Sequence, residues 1–211
     1  MAMSHETAEI AVAVFARAPV PGETKTRLIP RLGAEGAASL HCRLVTHMLT
    51  RLLQAEFPDV TLWGAPDATD PFFADCVTGF GVEIAAQIEG DLGARMHHAF
   101  LRAAPRPLLL VGTDCPSITI AHLHACAAAL HEGADAVFLP AEDGGYGLVG
   151  LRRPAPEIFA DMVWSTPHVM DETRRRLRKL GLSWREPAVI WDVDEPADYE
   201  RLVKSGLMPL A

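Results

Sequence analysis

The sequence predicts one α/β domain of three layers, a sheet covered by helices on both faces. Two observations carry this. Strand-like and helix-like segments alternate from end to end, with no internal repeat and no low-complexity linker between them. Such alternation places helices on both faces of a mostly parallel sheet. The strand candidates are also near-continuous apolar runs, such as Leu108-Leu109-Leu110-Val111, the pattern of strands buried on both faces. A length of 211 residues suits one such domain, and the 49% hydrophobic content is ordinary for a globular core.

Composition removes several function classes. No apolar run approaches the roughly 18 residues of a membrane span. Residues 1–8 lack the basic and long apolar regions of a signal peptide and read as a loose tail. The formal net charge of −8 argues against a nucleic-acid-binding face. Cys42, Cys76, Cys115 and Cys126 form no CxxC pair, which suits free thiols in a reducing cytoplasm. Cys115 adjoins Asp114, but no nearby base would activate it as a nucleophile.

Residues Glu9 to Ala16 form the first strand candidate, apolar and β-rich. The stretch from Arg17 to Leu28 follows, where Pro19, Pro21 and Gly22 forbid a continuous helix or strand. Connections between a strand and a helix usually take about two to six residues, and longer ones are usually functional. This one carries Arg17, Lys25 and Arg27 in an otherwise acidic chain. Cations of this kind hold phosphate oxygens, Arg through its planar fork and Lys as a point charge. The run Gly22-Glu23-Thr24-Lys25-Thr26 fails the spacing of a P-loop.

Leu40, Leu44, Met48 and Leu52 mark one buried face of a helix from Gly33 to Ala55, with His41 and His47 expected on its flanks. Residues 59–64 and 82–86 read as the second and third strands, with Phe72 and Phe73 on a short helix between them. Gly90 and Gly93 bracket Asp91 at the start of a helix running through Leu101. A glycine-edged helix start lets backbone amides approach a ligand, although Asp91 fits equally well as a simple N-cap. The adjacent His97 and His98 point about 100° apart on a helix and chelate poorly.

The fourth strand candidate ends in Gly112-Thr113-Asp114-Cys115-Pro116. Ligands of open α/β sheets sit beyond the carboxyl ends of such strands, so Asp114 is expected at the mouth of the sheet. Capping of the next helix is the alternative role. Helix 120–130 and strand 135–140 follow, then the turn Glu142-Asp143-Gly144-Gly145-Tyr146 and strand 148–151. Residues Pro156 to Met162 read as a short helix. Thr166 and Pro167 read as the N-cap and first residue of the next one, whose Arg174 to Lys179 run reads as a solvated face. Val189 to Asp194 reads as a last strand ending in Asp192 and Asp194, and Glu195 opens the final helix.

Cations after the first strand, Asp114 after the fourth, and Asp192 or Asp194 near the end can converge at one end of the sheet. Mg²⁺ takes one or two carboxylates, with substrate phosphates and waters completing its shell. The convergence therefore predicts a Mg²⁺-nucleotide site in which the metal neutralises a leaving diphosphate.

The segments Phe15 to Leu28 (FARAPVPGETKTRL), Gln87 to Met96, Gly112 to Pro116, Pro140 to Gly150 and Asp192 to Tyr199 resemble, in order, a bacterial glycosyltransferase-like family. Its members are also described as radical-SAM/selenodomain-associated transferases. Trp164-Ser165-Thr166 fits as well. The family is similar to GT-A nucleotide-diphospho-sugar transferases and to 2-phospholactate and molybdenum-cofactor guanylyltransferases. The resemblance implies a Rossmann-like mixed sheet of about seven strands that uses Mg²⁺ or Mn²⁺. It places Ala16, Arg17, Gly22, Lys25 and Arg27 on the nucleotide, with the loop of Lys25 and Arg27 at its phosphates. Gln87, Gly90, Asp91 and Arg95 would lie near base or ribose. Asp114 and Asp194, or Asp192 in its stead, would bind metal. Asp143, Gly144, Gly145, Tyr146, Trp164 and Thr166 would face the acceptor. The guanylyltransferase glycines are replaced here by Ala18-Pro19-Val20-Pro21-Gly22.

The leading expectation is glycosyl transfer from a nucleotide-diphospho-sugar to a small acceptor, with Asp143 as the general base of an inverting reaction. The second is nucleotidyl transfer with release of pyrophosphate, Lys25 and Arg27 steadying the phosphorus. The third is a non-catalytic nucleotide-binding module. Asp114, Lys25 and Asp143 are the residues expected to carry the chemistry.

Overall fold

A computed structural model describes residues 10–209; the N-terminal tail read from residues 1–8 lies outside them. Seven strands form one sheet: β1 (Ala11–Arg17), β2 (Val60–Ala65), β3 (Glu83–Ala86), β4 (Leu108–Gly112), β5 (Ala136–Pro140), β6 (Tyr146–Leu151) and β7 (Trp184–Arg185). Their order is β3-β2-β1-β4-β6-β5-β7. β1 pairs in parallel with β2 and β4, and β2 with β3. β6 runs antiparallel to both β4 and β5, while β7 is parallel to β5. The sheet is thus mixed and mostly parallel, as the sequence predicts.

Six helices cover it: α1 (Ile29–Gln54), α2 (Pro71–Phe80), α3 (Leu92–Ala103), α4 (Ile120–His131), α5 (Val169–Leu180) and α6 (Pro196–Ser205). Alternation along the strands sorts side chains between two layers. Val12, Val14, Leu62, Leu109 and Val111 pack with Met48 and Leu49 of α1, Phe73 of α2 and Leu123 of α4. Ala13, Phe15, Leu110, Phe138 and Val149 face the other way, onto Met96 and Phe100 of α3 and Met170 and Leu177 of α5. A third cluster joins Leu28, Leu40 and Leu44 to Val193 and Leu202, fixing α6 and the segment before it against α1.

Five local expectations are corrected. Residues 189–194 make no strand: only Ile190 forms a bridge, to Ala141, and β7 lies earlier. Trp191 and Val193 are instead tied to the loop after β4. Ser117 Oγ donates to the Trp191 carbonyl and accepts from the Trp191 amide, while the Val193 amide donates to the Asp114 carbonyl. The segment from Pro156 to Met162 is a single 3-10 turn at Pro156–Ile158. Thr166 does not cap α5, which begins at Val169; its hydroxyl donates to the Val163 carbonyl. His41 is buried under the first loop rather than lying on a flank, and its Nε2 sits 2.9 Å from the Arg17 carbonyl. α1 starts four residues before the expected Gly33, which forms a kink at φ 73°.

Candidate active site

The carboxyl ends of the parallel strands open into a cleft of about 770 Å³. The loop after β1 enters it as a folded element. Thr24 Oγ1 donates to the Ala18 carbonyl, and the Glu23 and Thr24 amides donate to Val20. The loop ends with Lys25 in the left-handed region at φ 52°, a conformation that costs a residue with a Cβ and recurs at functional sites. It turns the Lys25 side chain inward, where only 4% of it is exposed. Its Nζ donates to the Val193 carbonyl at 2.6 Å and pairs with Asp114 Oδ2 at 2.9 Å. Lys25 therefore joins three separate stretches of chain at one point.

Asp114 does not cap the next helix; Thr119 does, through its hydroxyl to the His122 amide. The Oδ2 edge of Asp114 is bound by Lys25, and Oδ1 has no hydrogen-bond partner among the described residues. Asp192 and Asp143 complete an acidic side of the cleft. Burial, and secondarily the charge of Asp143, push the Asp192 carboxyl up to about 6. Asp194 is differently placed, 2.5 Å from Arg27 Nη1. Burial pushes the Cys115 thiol far up, so it stays protonated, and the sequence argument against a thiol nucleophile stands.

Among the described residues no three His, Cys, Asp or Glu side chains are grouped to hold a metal. A cation here would draw remaining ligands from phosphates and water, which is how Mg²⁺ is usually held in nucleotide sites. The unpartnered Oδ1 of Asp114 is a lone-pair donor suited to that use, so the residues fit a metal-nucleotide better than a bare ion.

Of the residues expected on the donor, Ala16, Arg17, Lys25, Arg27, Gln87 and Arg95 line the cleft, while Gly22, Gly90 and Asp91 do not. Asp91 is the N-cap of α3, accepting from the Ala94 amide at 2.8 Å. On the other side Asp143, Gly145, Tyr146, Trp164 and Thr166 line it, and Gly144 does not. Gly144, at φ 89°, instead lets the turn pass under Pro167: a Cβ there would lie 2.1 Å from the Pro167 carbonyl oxygen. Asp143 Oδ1 accepts from the Gly145 amide at 2.9 Å, an Asx-turn that fixes its direction. Thr24, Thr113, Gly147 and His41 also line the cleft and were missed. A buried histidine at an interior helical position gives no signal beyond its apolar neighbours. Of the run expected as a solvated face, Arg175 is exposed and pairs with Glu172, but Arg174 is half-buried between Asp171 and Glu186, and Arg176, 14% exposed, pairs with Glu172 and donates to the Ile158 and Asp161 carbonyls.

The family DUF2064, described as an uncharacterized protein conserved in bacteria, matches residues 48–166, more than half of the chain. The chain is a member of DUF2064. This DUF2064 chain is 31% identical to a Desulfovibrio desulfuricans G20 protein provisionally described as a nucleotide-diphospho-sugar transferase, over 89% of this chain and 83% of that one, with a TM-score of 0.81. It is 28% identical to a phosphoenolpyruvate guanylyltransferase of Sphaerobacter thermophilus, over 84% of this chain and 86% of the relative. It also shares its fold with a Mycobacterium tuberculosis H37Rv protein solved in complex with manganese, at 20% identity and a TM-score of 0.56 over 93% of this chain and 98% of that one. No helix among the described residues of the DUF2064 chain is long and apolar enough to cross a membrane.

Proposed function

We propose that this chain is a nucleotidyltransferase: a phosphate oxygen of a small acceptor attacks the α-phosphorus of a nucleoside triphosphate. The bond from the α-phosphorus to its bridging oxygen breaks, the electron pair stays on that oxygen, and pyrophosphate leaves. The carrying observation is that one cleft gathers the cation loop, with Arg17, Lys25 and Arg27, and the acids Asp114, Asp143 and Asp192, Lys25 and Asp114 meeting at 2.9 Å. Cations on this scale serve a polyphosphate, whose charge develops on the departing pyrophosphate. The guanylyltransferase relative supports the same reaction class.

The cations divide their work. Lys25 is buried and holds Asp114 in place. Arg17 is exposed at the cleft wall. The Arg27 side chain is 65% exposed, and an open ion pair such as Arg27–Asp194 is worth about 0–1 kcal/mol. Arg27 can therefore exchange Asp194 for a phosphate at little cost. Asp114, with Asp192, would hold Mg²⁺ or Mn²⁺, which would neutralise the phosphates and hold them in line. The manganese complex of the M. tuberculosis neighbour favours such an ion. Asp192 suits this role better than Asp194, because it stands with Asp143 on the acidic side of the cleft and is in no ion pair among the described residues. Asp143, Tyr146, Trp164 and Thr166 would orient the acceptor.

The second reading, glycosyl transfer from a nucleotide-diphospho-sugar, is favoured by the description of the D. desulfuricans relative. In that reaction Asp143 would take the acceptor proton. The test incubates the protein with Mg²⁺, each nucleoside triphosphate and phosphoenolpyruvate, and measures pyrophosphate. Metal-dependent pyrophosphate release, lost in Asp114→Asn, is expected. Nucleoside diphosphate release from a sugar nucleotide, with no pyrophosphate from any triphosphate, would transfer the assignment to the second reading. Nucleotide binding without turnover in either assay would favour a binding module.

A further inference from the structure

The strand order sorts the cleft by chemistry. Gln87 follows β3, Ala65 ends β2, Arg17 ends β1, Asp114 follows β4, and Ala141 follows β5. The β4–β6–β5 side carries Asp114, Asp143 and Asp192, whereas the β2–β3 side is lined by Ala65, Gln87, Leu92 and Arg95. Three strand spacings of about 4.8 Å separate the mouths of β3 and β4, roughly 14 Å. A nucleotide with its phosphates over β1 and β4 therefore directs its base toward β3, the end whose lining holds no carboxylate.

At that end Gln87 is held in a single amide orientation. Its backbone amide donates to the Gly64 carbonyl at 2.9 Å. Its Nε2 donates to the Trp63 carbonyl at 2.8 Å and reaches the Ala16 carbonyl at 3.3 Å. A flipped amide would set Oε1 against two carbonyl oxygens, so the network fixes which atom is which. Both Nε2 protons are engaged, and Oε1 has no partner among the described residues. The side chain thus offers the cleft an acceptor with two lone pairs and no donor.

We propose that Gln87 Oε1 reads the base of the donor nucleotide and selects guanine. This rests on the nucleotide-donor reading above. Guanine sets an imino N1–H beside an exocyclic N2 amine on one edge, so two donors can converge on one acceptor. The amines of adenine and cytosine adjoin ring nitrogens whose lone pairs would face Oε1. The N3–H of uracil lies between two carbonyls. Arg95 lines the same wall; its Nε donates to the Gly90 carbonyl at 3.0 Å. Its terminal nitrogens have no partner among the described residues and can serve the O6 or N7 acceptors of guanine, a frequent arginine–guanine pairing.

The test is calorimetric binding to the full chain with Mg²⁺. The probes are the triphosphates of guanosine, adenosine, cytidine, uridine, inosine and 1-methylguanosine. Guanosine triphosphate should bind about tenfold or more tightly than the other three common bases, from one or two neutral hydrogen bonds. Inosine, lacking the N2 amine, and 1-methylguanosine, lacking N1–H, should each lose part of that margin. Gln87→Met keeps the length without polar atoms and should bring the four common bases to within about threefold, with the weaker binders little changed. Unaltered base discrimination in Gln87→Met, or a wild-type preference for another base, overturns the assignment while leaving the donor reading standing. Failure of every triphosphate to bind wild type refutes both. If Gln87→Met does not fold, the inosine and 1-methylguanosine series on wild type decides alone, and equal affinity for all three purines is the refuting result.

Discussion

Replacing Lys25 by Met removes one ammonium and keeps the aliphatic stem. At 2.9 Å from Asp114, that ammonium gains about 6 kcal/mol of Coulomb attraction at an effective dielectric near 20 before desolvation is counted. The measurable loss is much smaller. The Val193 carbonyl loses the donor now 2.6 Å away, and an unsatisfied buried acceptor costs about 1–2 kcal/mol. The Asp114 side chain is 49% exposed, so water re-solvates it, and losing its partner adds about 1 kcal/mol. A total of about 2–3 kcal/mol corresponds to a fall in Tm of roughly 5–10 °C for a chain of this size. The assay is differential scanning calorimetry, followed by calorimetric titration with Mg²⁺ and nucleoside triphosphate. Lys25→Met should melt in that lower range, and it should lose metal-dependent nucleotide affinity because Asp114 is no longer aimed. A variant that melts within 1 °C of wild type and binds equally well would refute the view that Lys25 ties the loop, Asp114 and the 190–194 segment together.

Two more predictions test neighbouring features. Asp192 is held up to about 6 by burial and the Asp143 charge, against about 3.9 for an unfolded carboxyl. Between about pH 4 and 6 the folded chain therefore binds more protons than the unfolded one, and stability falls as pH rises through that window. Asp192→Asn should raise Tm more at pH 7.5 than at pH 4.5, whereas an equal shift at both would count against the coupling. Gly144 and Gly22 both have positive φ, but a Cβ at Gly22 meets no atom within 4 Å while one at Gly144 collides with Pro167. Gly22→Ala should lose about 1 kcal/mol from backbone strain alone, and Gly144→Ala about 2–4 kcal/mol once the overlap is added. Equal losses in chemical denaturation would remove the close approach as the reason for that glycine.

Much of this arrangement is legible in the chain itself. Apolar runs such as Leu108 to Val111 have one stable place, inside a sheet covered on both faces, so six of the seven strands and every long helix follow from local pattern. The cation loop is also readable, because Pro19, Pro21 and Gly22 prevent regular structure and Arg17, Lys25 and Arg27 stand out in an acidic sequence. The helix expected after Pro156 stops at one turn, where Arg176 takes up the Ile158 and Asp161 carbonyls, and the strand expected at 189–194 failed because its partners are remote in sequence. Residues 190–194 look like a strand by composition, yet Ser117 and Asp114 take up the backbone groups a ladder would have used.

Local pattern, then, determined the layers of this protein and which residue types gather at the mouth of its sheet. Tertiary structure decided how those residues are used. Lys25, outwardly a phosphate ligand, is buried on Asp114 because its left-handed backbone turns it inward. His41 sits under the loop, Asp91 is a cap, and Asp194 is paired with Arg27 while Asp192 is left among acids. Hydrophobic periodicity acts over a few residues and is written in the chain. Ion pairs and hydrogen bonds between stretches 168 residues apart, as Lys25 and Val193 are, exist only once the sheet has brought their ends together.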